Sequence, residues 1–186
     1  EAMSGPTPRA AILEIEAYVP GRAKLDGAKP TRTIKLSANE NALGSSPKAL
    51  EAYKAAVTEL FLYPDGASTA LREALGKRFG LDPARLVCGC GSGDLLLLLS
   101  EAYARDGDEV LHSAHGFLLY PIAARAAGAK PVAAPERDLT VSVDELLARV
   151  SARTKLVYIA NPSNPTGTYI SGAELRRLRN GLRDDI

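Results

Sequence analysis

The 186-residue sequence predicts an α/β fold, a mostly parallel sheet flanked by helices and preceded by an N-terminal arm. Three observations lead there. Short apolar runs at 86–88, 109–112, 131–134 and 156–160 alternate with stretches of helical periodicity at 94–104, 120–127, 142–150 and 173–183, and strand–helix alternation of this kind builds a parallel sheet covered on both faces. The first 35 residues are punctuated by Pro6, Pro8, Pro20, Gly21, Gly27 and Pro30, which leaves room for one short helix around 9–17 and otherwise for extended chain. Apolar residues make up 46% of the sequence against 24% charged, the balance of a chain that can bury a real core.

The elements follow in order. Ser46-Pro47 opens a helix to about residue 58, with the serine expected as N-cap and proline at the first helical position. Tyr63-Pro64-Asp65-Gly66 reads as a turn, and the helix over 69–79 meets Gly80 where a left-handed cap is wanted. Two capping boxes, Ser142 with Glu145 and Ser171 with Glu174, mark later helix starts. In such sheets ligands bind in the loops beyond the carboxyl ends of the strands.

Charge excludes some partners. Lys and Arg total 23 against 22 Asp and Glu, so no field implies nucleic acid or an anionic membrane. The most apolar stretch, 95–99, lies between Asp94 and Glu101, far short of the roughly 20 residues that span a bilayer. No cationic-then-apolar leader opens the sequence, so the expected compartment is the cytoplasm. Cys88 and Cys90, two apart on an extended segment, point to opposite faces and are expected as free thiols. With His112 and His115 the only histidines, a zinc site finds no usual spacing, and no metal is expected.

Two loops could carry chemistry. Gly89-Cys90-Gly91-Ser92-Gly93-Asp94 lies between an expected strand and an expected helix, where free N–H groups and the positive helix end suit a phosphate. It matches neither the dinucleotide fingerprint nor a P-loop; taken alone, it also fits a plain glycine turn. Asn161-Pro162-Ser163-Asn164-Pro165-Thr166-Gly167 has two X-Pro steps that fix a rigid path and leave Asn164 as the polar group to present to a ligand. A Ser-x-x-K match at Ser45 to Lys48 lacks the companion motifs of the penicillin-recognising enzymes and is better explained as a helix start.

That second loop resembles the N-P-x-N-P-T-G signature of fold-type-I, pyridoxal-phosphate-dependent aminotransferases. Asn39-Glu40-Asn41, Gly44, Ser46-Pro47, Tyr63-Pro64-Asp65-Gly66 and the glycine loop, in that order, narrow the resemblance to the histidinol-phosphate aminotransferase family, from about Tyr18 to the last residue. The resemblance implies an arm over 1–35, a linking helix region of the small domain over 36–62, and the first part of the cofactor-binding large domain over 63–186. It implies Ser92 and Gly93 as backbone donors to the cofactor phosphate, Asn164 as partner of the phenolic oxygen, and Tyr120 as the aromatic stacked on the ring. Tyr63 would reach a neighbour's cofactor phosphate across a homodimer, and Tyr18 and Asn39 would lie at the substrate entrance. Tyr120, Tyr63 and Tyr18 could equally pack as ordinary structural aromatics.

The implied reaction moves an amino group between histidinol phosphate and 2-oxoglutarate, in histidine biosynthesis. Rivals within the superfamily are an aromatic amino-acid aminotransferase and a threonine-phosphate decarboxylase; a rival of another class is a non-catalytic phosphate-binding module. Some positions depart from the family. Cys90 stands for an asparagine, Gly93 for an acidic residue, Ala42 for a proline, and His115-Gly116 for a Pro-Thr pair; His115 could touch the cofactor edge or fill the loop, and as a lone histidine it is expected to fill the loop. None of the eight lysines stands in the context of the cofactor-linking lysine. That lysine, the aspartate for the pyridine nitrogen and the substrate arginines are expected beyond Ile186, in a longer chain whose next strand would cover an open sheet edge.

Overall fold

Three five-residue strands, β1 (Glu109–Ser113), β2 (Lys130–Ala134) and β5 (Thr154–Tyr158), form a parallel sheet in the order β2-β1-β5. In register, Leu111 stands between Val132 and Val157, and His112 between Ala133 and Tyr158. The strands belong to a computed structural model that describes residues 8–18, 34 and 36–186. The chain divides into two units, one of residues 8–18 with 89–186 and the other of residues 34 and 36–88.

In the first unit all five residues of β1 are buried, as a central parallel strand covered on both sides requires. Alternation sends Val110 to one face, where it packs with Ala104, Tyr120, Ala124 and Tyr158 under α4 (Ser92–Tyr103) and α5 (Leu119–Ala126). Leu111 goes to the other face, against Val143, Leu146, Ile170 and Leu178 from α6 (Val143–Ala148), α7 (Gly172–Gly181) and the loop before it. The short helix α1 (Ala10–Leu13) packs on α5 and is shorter than the sequence suggests.

One element has no counterpart in the sequence reading, a two-stranded hairpin of β3 (Glu136–Arg137) and β4 (Thr140–Val141). Its turn residues Asp138 and Leu139 both take left-handed φ, 49° and 57°, the primed turn that matches strand twist but is normally signalled by Asn-Gly or Asp-Gly. Conversely, residues 86–88 form no strand. Leu86 is extended at φ −105°, ψ 134°, but among the described residues the segment has no ladder partner.

The caps divide as well. Ser142 and Ser171 each accept the N–H of the glutamate three residues on, at 3.3 and 3.2 Å, while those glutamates turn to Arg149 and Arg177. In the second unit, Ser46 holds the N-cap position of α2 (Pro47–Ala56), yet its side chain makes no capping bond. There α3 (Thr69–Phe79) begins under Asp65, whose carboxylate accepts the Ala67 and Thr69 N–H groups at 2.9 and 2.7 Å. These bonds, Thr69 foremost, hold the Asp65 carboxyl below its ordinary range. Gly80 ends α3 in the left-handed conformation, φ 68°. Cys88 and Cys90 are free. Among the described residues no helix is long and apolar enough to cross a membrane.

Candidate active site

Tyr158, the last residue of β5, donates its hydroxyl to the Leu96 carbonyl in α4 at 3.0 Å and lies 3.1 Å from Ser100 Oγ. Gly93 near the start of α4 lies against Leu119, which follows the loop after β1, while Tyr103 and Ala104 at its other end share a cleft with Asp108 and Lys155 where β1 and β5 begin, so the N-terminus of α4 is at the edge where those strands end. Three segments therefore share that edge: the first turn of α4, the loop after β1 and the loop after β5.

The glycine loop enters α4 through Gly91 at φ 99°, ψ 173°, a region closed to residues with a Cβ. Asp94 folds back so that Oδ2 accepts the Cys90 N–H at 3.1 Å; a Cβ on Gly89 would stand 2.7 Å from that oxygen. The N–H groups of Ser92 and Gly93 have no acceptor among the described residues, as expected of a first helical turn. A Cβ on Gly93 would lie 3.0 Å from Leu119 Cδ2, so the starts of α4 and α5 approach closely. Free donors at the positive end of a 12-residue helix can hold a phosphate.

Tyr120 is 5% exposed and sits in the core beneath this edge. Its ring stacks on Tyr158 with centroids 5.3 Å apart and planes 19° from parallel, and Phe117 meets it edge-on at 6.0 Å. Burial raises the pKa of both tyrosine hydroxyls. Phe117, half-buried in the loop after β1, is an aromatic neighbour that no motif in the sequence marks. His112, buried behind the same edge, bonds the Ser113 carbonyl through Nδ1 at 2.9 Å, and burial pushes its pKa down.

Asn164 lies half-buried in the loop after β5, its carboxamide without a hydrogen-bond partner among the described residues. The loop around it is braced from inside. Asn161 clasps both polar groups of Ile170, and Ser163 exchanges backbone bonds with Gly167 and Thr168. Thr168 Oγ1 also donates to the Leu139 carbonyl at 2.7 Å, tying the loop to the β3–β4 hairpin.

Of the remaining expected site residues, Tyr18 belongs to the first unit and Asn39 and Tyr63 to the second. Tyr18 lines a separate cleft of about 430 Å³ with His112, Pro121, Ile122 and Arg125. Asn39 and Tyr63 belong to the second unit, where Asn39 is exposed and Tyr63 is fully exposed. His115, expected to fill its loop rather than touch the cofactor edge, pairs with Glu136.

Comparison with known proteins agrees with this architecture. A histidinol-phosphate aminotransferase of Rhodospirillum centenum is 60% identical over 180 residues, covering 97% of this chain and 49% of the relative. That of Paramagnetospirillum magneticum is 57% identical over 184 residues, covering 99% and 50%. The chain thus spans about half the length of the curated relatives it matches. A solved structure of histidinol-phosphate aminotransferase from Sinorhizobium meliloti in complex with pyridoxal 5'-phosphate superposes with a TM-score of 0.76 at 28% identity, covering 80% of this chain and 41% of that one. The fold is that of the fold-type-I aminotransferases, present in part. Because the family model for aminotransferase class I and II also matches residues 31–183, the chain belongs to the class I and II aminotransferases.

Proposed function

We propose that the protein containing this chain is a pyridoxal-phosphate-dependent aminotransferase acting on histidinol phosphate and 2-oxoglutarate in histidine biosynthesis. The observation that carries the proposal is the 60% identity to a histidinol-phosphate aminotransferase, sustained over 97% of this chain. That identity favours this reading over aromatic amino-acid transamination, threonine-phosphate decarboxylation or a purely phosphate-binding role.

The residues present fit the cofactor. Its phosphate needs several donors and little bulk, and the first turn of α4 supplies the unpartnered N–H groups of Ser92 and Gly93 beside a glycine held at φ 99°. When bound, the pyridine ring acts as an electron sink for the bond-breaking at the substrate carbon. The chain's own part is to bind and orient. Ser92 and Gly93 would grip the phosphate, and the carboxamide of Asn164 would donate to the phenolic oxygen. The aromatic group of Tyr120, faced by Phe117, would support the ring and keep water from it. Tyr18 and Asn39 would border the substrate entrance, and Tyr63 would reach a second copy's cofactor phosphate in a cytoplasmic homodimer.

We assign residues 1–35 to an arm, 36–62 to the linking part of a small domain and 63–186 to the first part of the cofactor domain. The cofactor-linking lysine would come from chain beyond Ile186. Steady-state rates of the full-length protein with histidinol phosphate, phenylalanine and threonine phosphate test the proposal. Turnover is expected with histidinol phosphate and 2-oxoglutarate; none with that pair would overturn it.

A further inference from the structure

The loop after β1, residues 114–118, is gripped by one side chain from outside it. Glu136, at the start of β3, has a fully buried side chain whose two oxygens are used separately. Oε1 accepts the His115 backbone N–H at 3.2 Å, and Oε2 lies 3.1 Å from His115 Nδ1. A carboxylate only accepts, so Nδ1 carries the hydrogen and, in the neutral ring, Nε2 is left as an acceptor. The His115 side chain is 58% exposed, so the ring covers the carboxylate from the solvent side.

A buried carboxylate is costly unless hydrogen-bonded, and among the described residues His115 supplies every bond this one has. Satisfying Glu136 therefore ties down the loop. Gly116 tightens it: a Cβ there would stand 2.9 Å from Ser113 Oγ and 3.2 Å from Tyr120 Cδ2. Phe117 follows directly, and Leu119 just beyond packs at Gly93. The clamp thus reaches the donors at the head of α4 through four residues of chain.

We infer that Glu136 is a positioning residue for the cofactor site, holding His115 by backbone and ring so that Phe117 and the start of α5 keep their place against the α4 N-terminus. This inference rests on the cofactor reading above. The test uses the full-length protein and the variants Glu136→Ala, Glu136→Gln and His115→Ala. Three readouts apply: amide exchange over residues 115–117, equilibrium affinity for pyridoxal phosphate, and the ¹⁵N shifts of the His115 ring.

Glu136→Ala is expected to speed exchange and to weaken cofactor binding by about tenfold each, the scale of one lost charge-assisted bond or an orienting partner. Glu136→Gln keeps an acceptor for the backbone and offers a donor to the ring. It should restore affinity to within about threefold while moving the ring hydrogen to Nε2, a switch that a merely space-filling role would not produce. If Glu136→Ala does not fold, His115→Ala, which removes an exposed ring, carries the test with the same signs and smaller size. Exchange and affinity within twofold of wild type in the folded variants, or an unchanged tautomer in Glu136→Gln, overturns the inference. Full-length wild type that never binds pyridoxal phosphate, while Glu136→Ala still frees the loop, overturns the cofactor reading and leaves the clamp as loop structure alone.

Discussion

Replacing Asn161 isolates what braces the loop that presents Asn164. Its Nδ2 donates to the Ile170 carbonyl at 3.1 Å and its Oδ1 accepts the Ile170 N–H at 3.0 Å. One carboxamide thus imitates a rung of an antiparallel ladder and closes a ten-residue loop, from 161 to 170, onto itself. Ile170 is only 9% exposed and packs in the core with Leu111 and Leu178, so its polar groups have few substitutes. Two neutral bonds at about 0.5–1.5 kcal/mol each put the local cost of Asn161→Ala near 1–3 kcal/mol. The Ile170 amide should then exchange roughly 5- to 150-fold faster, read by hydrogen exchange on the full-length protein. Asn161→Asp sharpens the test. It keeps the acceptor for the N–H but sets a second carboxylate oxygen against the Ile170 carbonyl, lone pair against lone pair. At neutral pH it should be at least as damaging as alanine, and it should recover as acid protonates the new carboxyl. An Ile170 amide within twofold of wild type in Asn161→Ala, or an aspartate variant as protected as wild type, would refute the reasoning.

Glu109, 5% exposed, receives the Ser151 hydroxyl at 2.6 Å and Arg153 Nη2 at 2.7 Å, and these contacts, Ser151 first, hold its carboxyl below the ordinary glutamate range. Its stabilisation is therefore complete above the unfolded pKa of about 4.3 and fades as pH falls through the lower folded value. Glu109→Gln should remove about 1–3 kcal/mol at neutral pH and flatten the acid limb of stability; an unchanged limb would count against the bond. Leu111→Ala, at a side chain with no exposed surface, should cost about 2–5 kcal/mol in denaturant unfolding. Gly91→Ala forces a Cβ into φ 99°, and should cost about 1–3 kcal/mol while weakening pyridoxal phosphate affinity. Ser171→Ala removes the cap at Glu174 N, and about 1 kcal/mol of local stability with it.

What the sequence could reveal divides along a physical line between local and distant causes. The order of strands and helices was legible because strands covered on both faces read as short apolar runs between longer helical stretches, as β1, β2 and β5 do beside α4, α5, α6 and α7. The caps at Ser142 and Ser171 were legible because donor and acceptor sit three residues apart. The same rule overstated Ser46, where nothing local says that the hydroxyl will turn away. The β3–β4 hairpin stayed hidden because Asp138-Leu139 adopts a turn that glycine normally announces. Leu86–Cys88 has the composition of a strand, but a strand exists only through a neighbour, and none stands beside it among the described residues. The candidate site divides in the same way. Free donors at Ser92 and Gly93 follow from a glycine loop entering a helix, a local fact. The grip of Glu136 on His115 spans 21 positions, and that of Tyr158 on α4 spans 62; neither has a sequence signature. Spacing thus suggests donors at a helix start and a brace within one loop, such as Asn161 with Ile170, whereas the ligand roles of Tyr120, Tyr18, Asn39 and Tyr63 rest on the family resemblance alone. Contacts such as those of Glu136 and Tyr158 join segments far apart in sequence, and only the packed structure brings them into view.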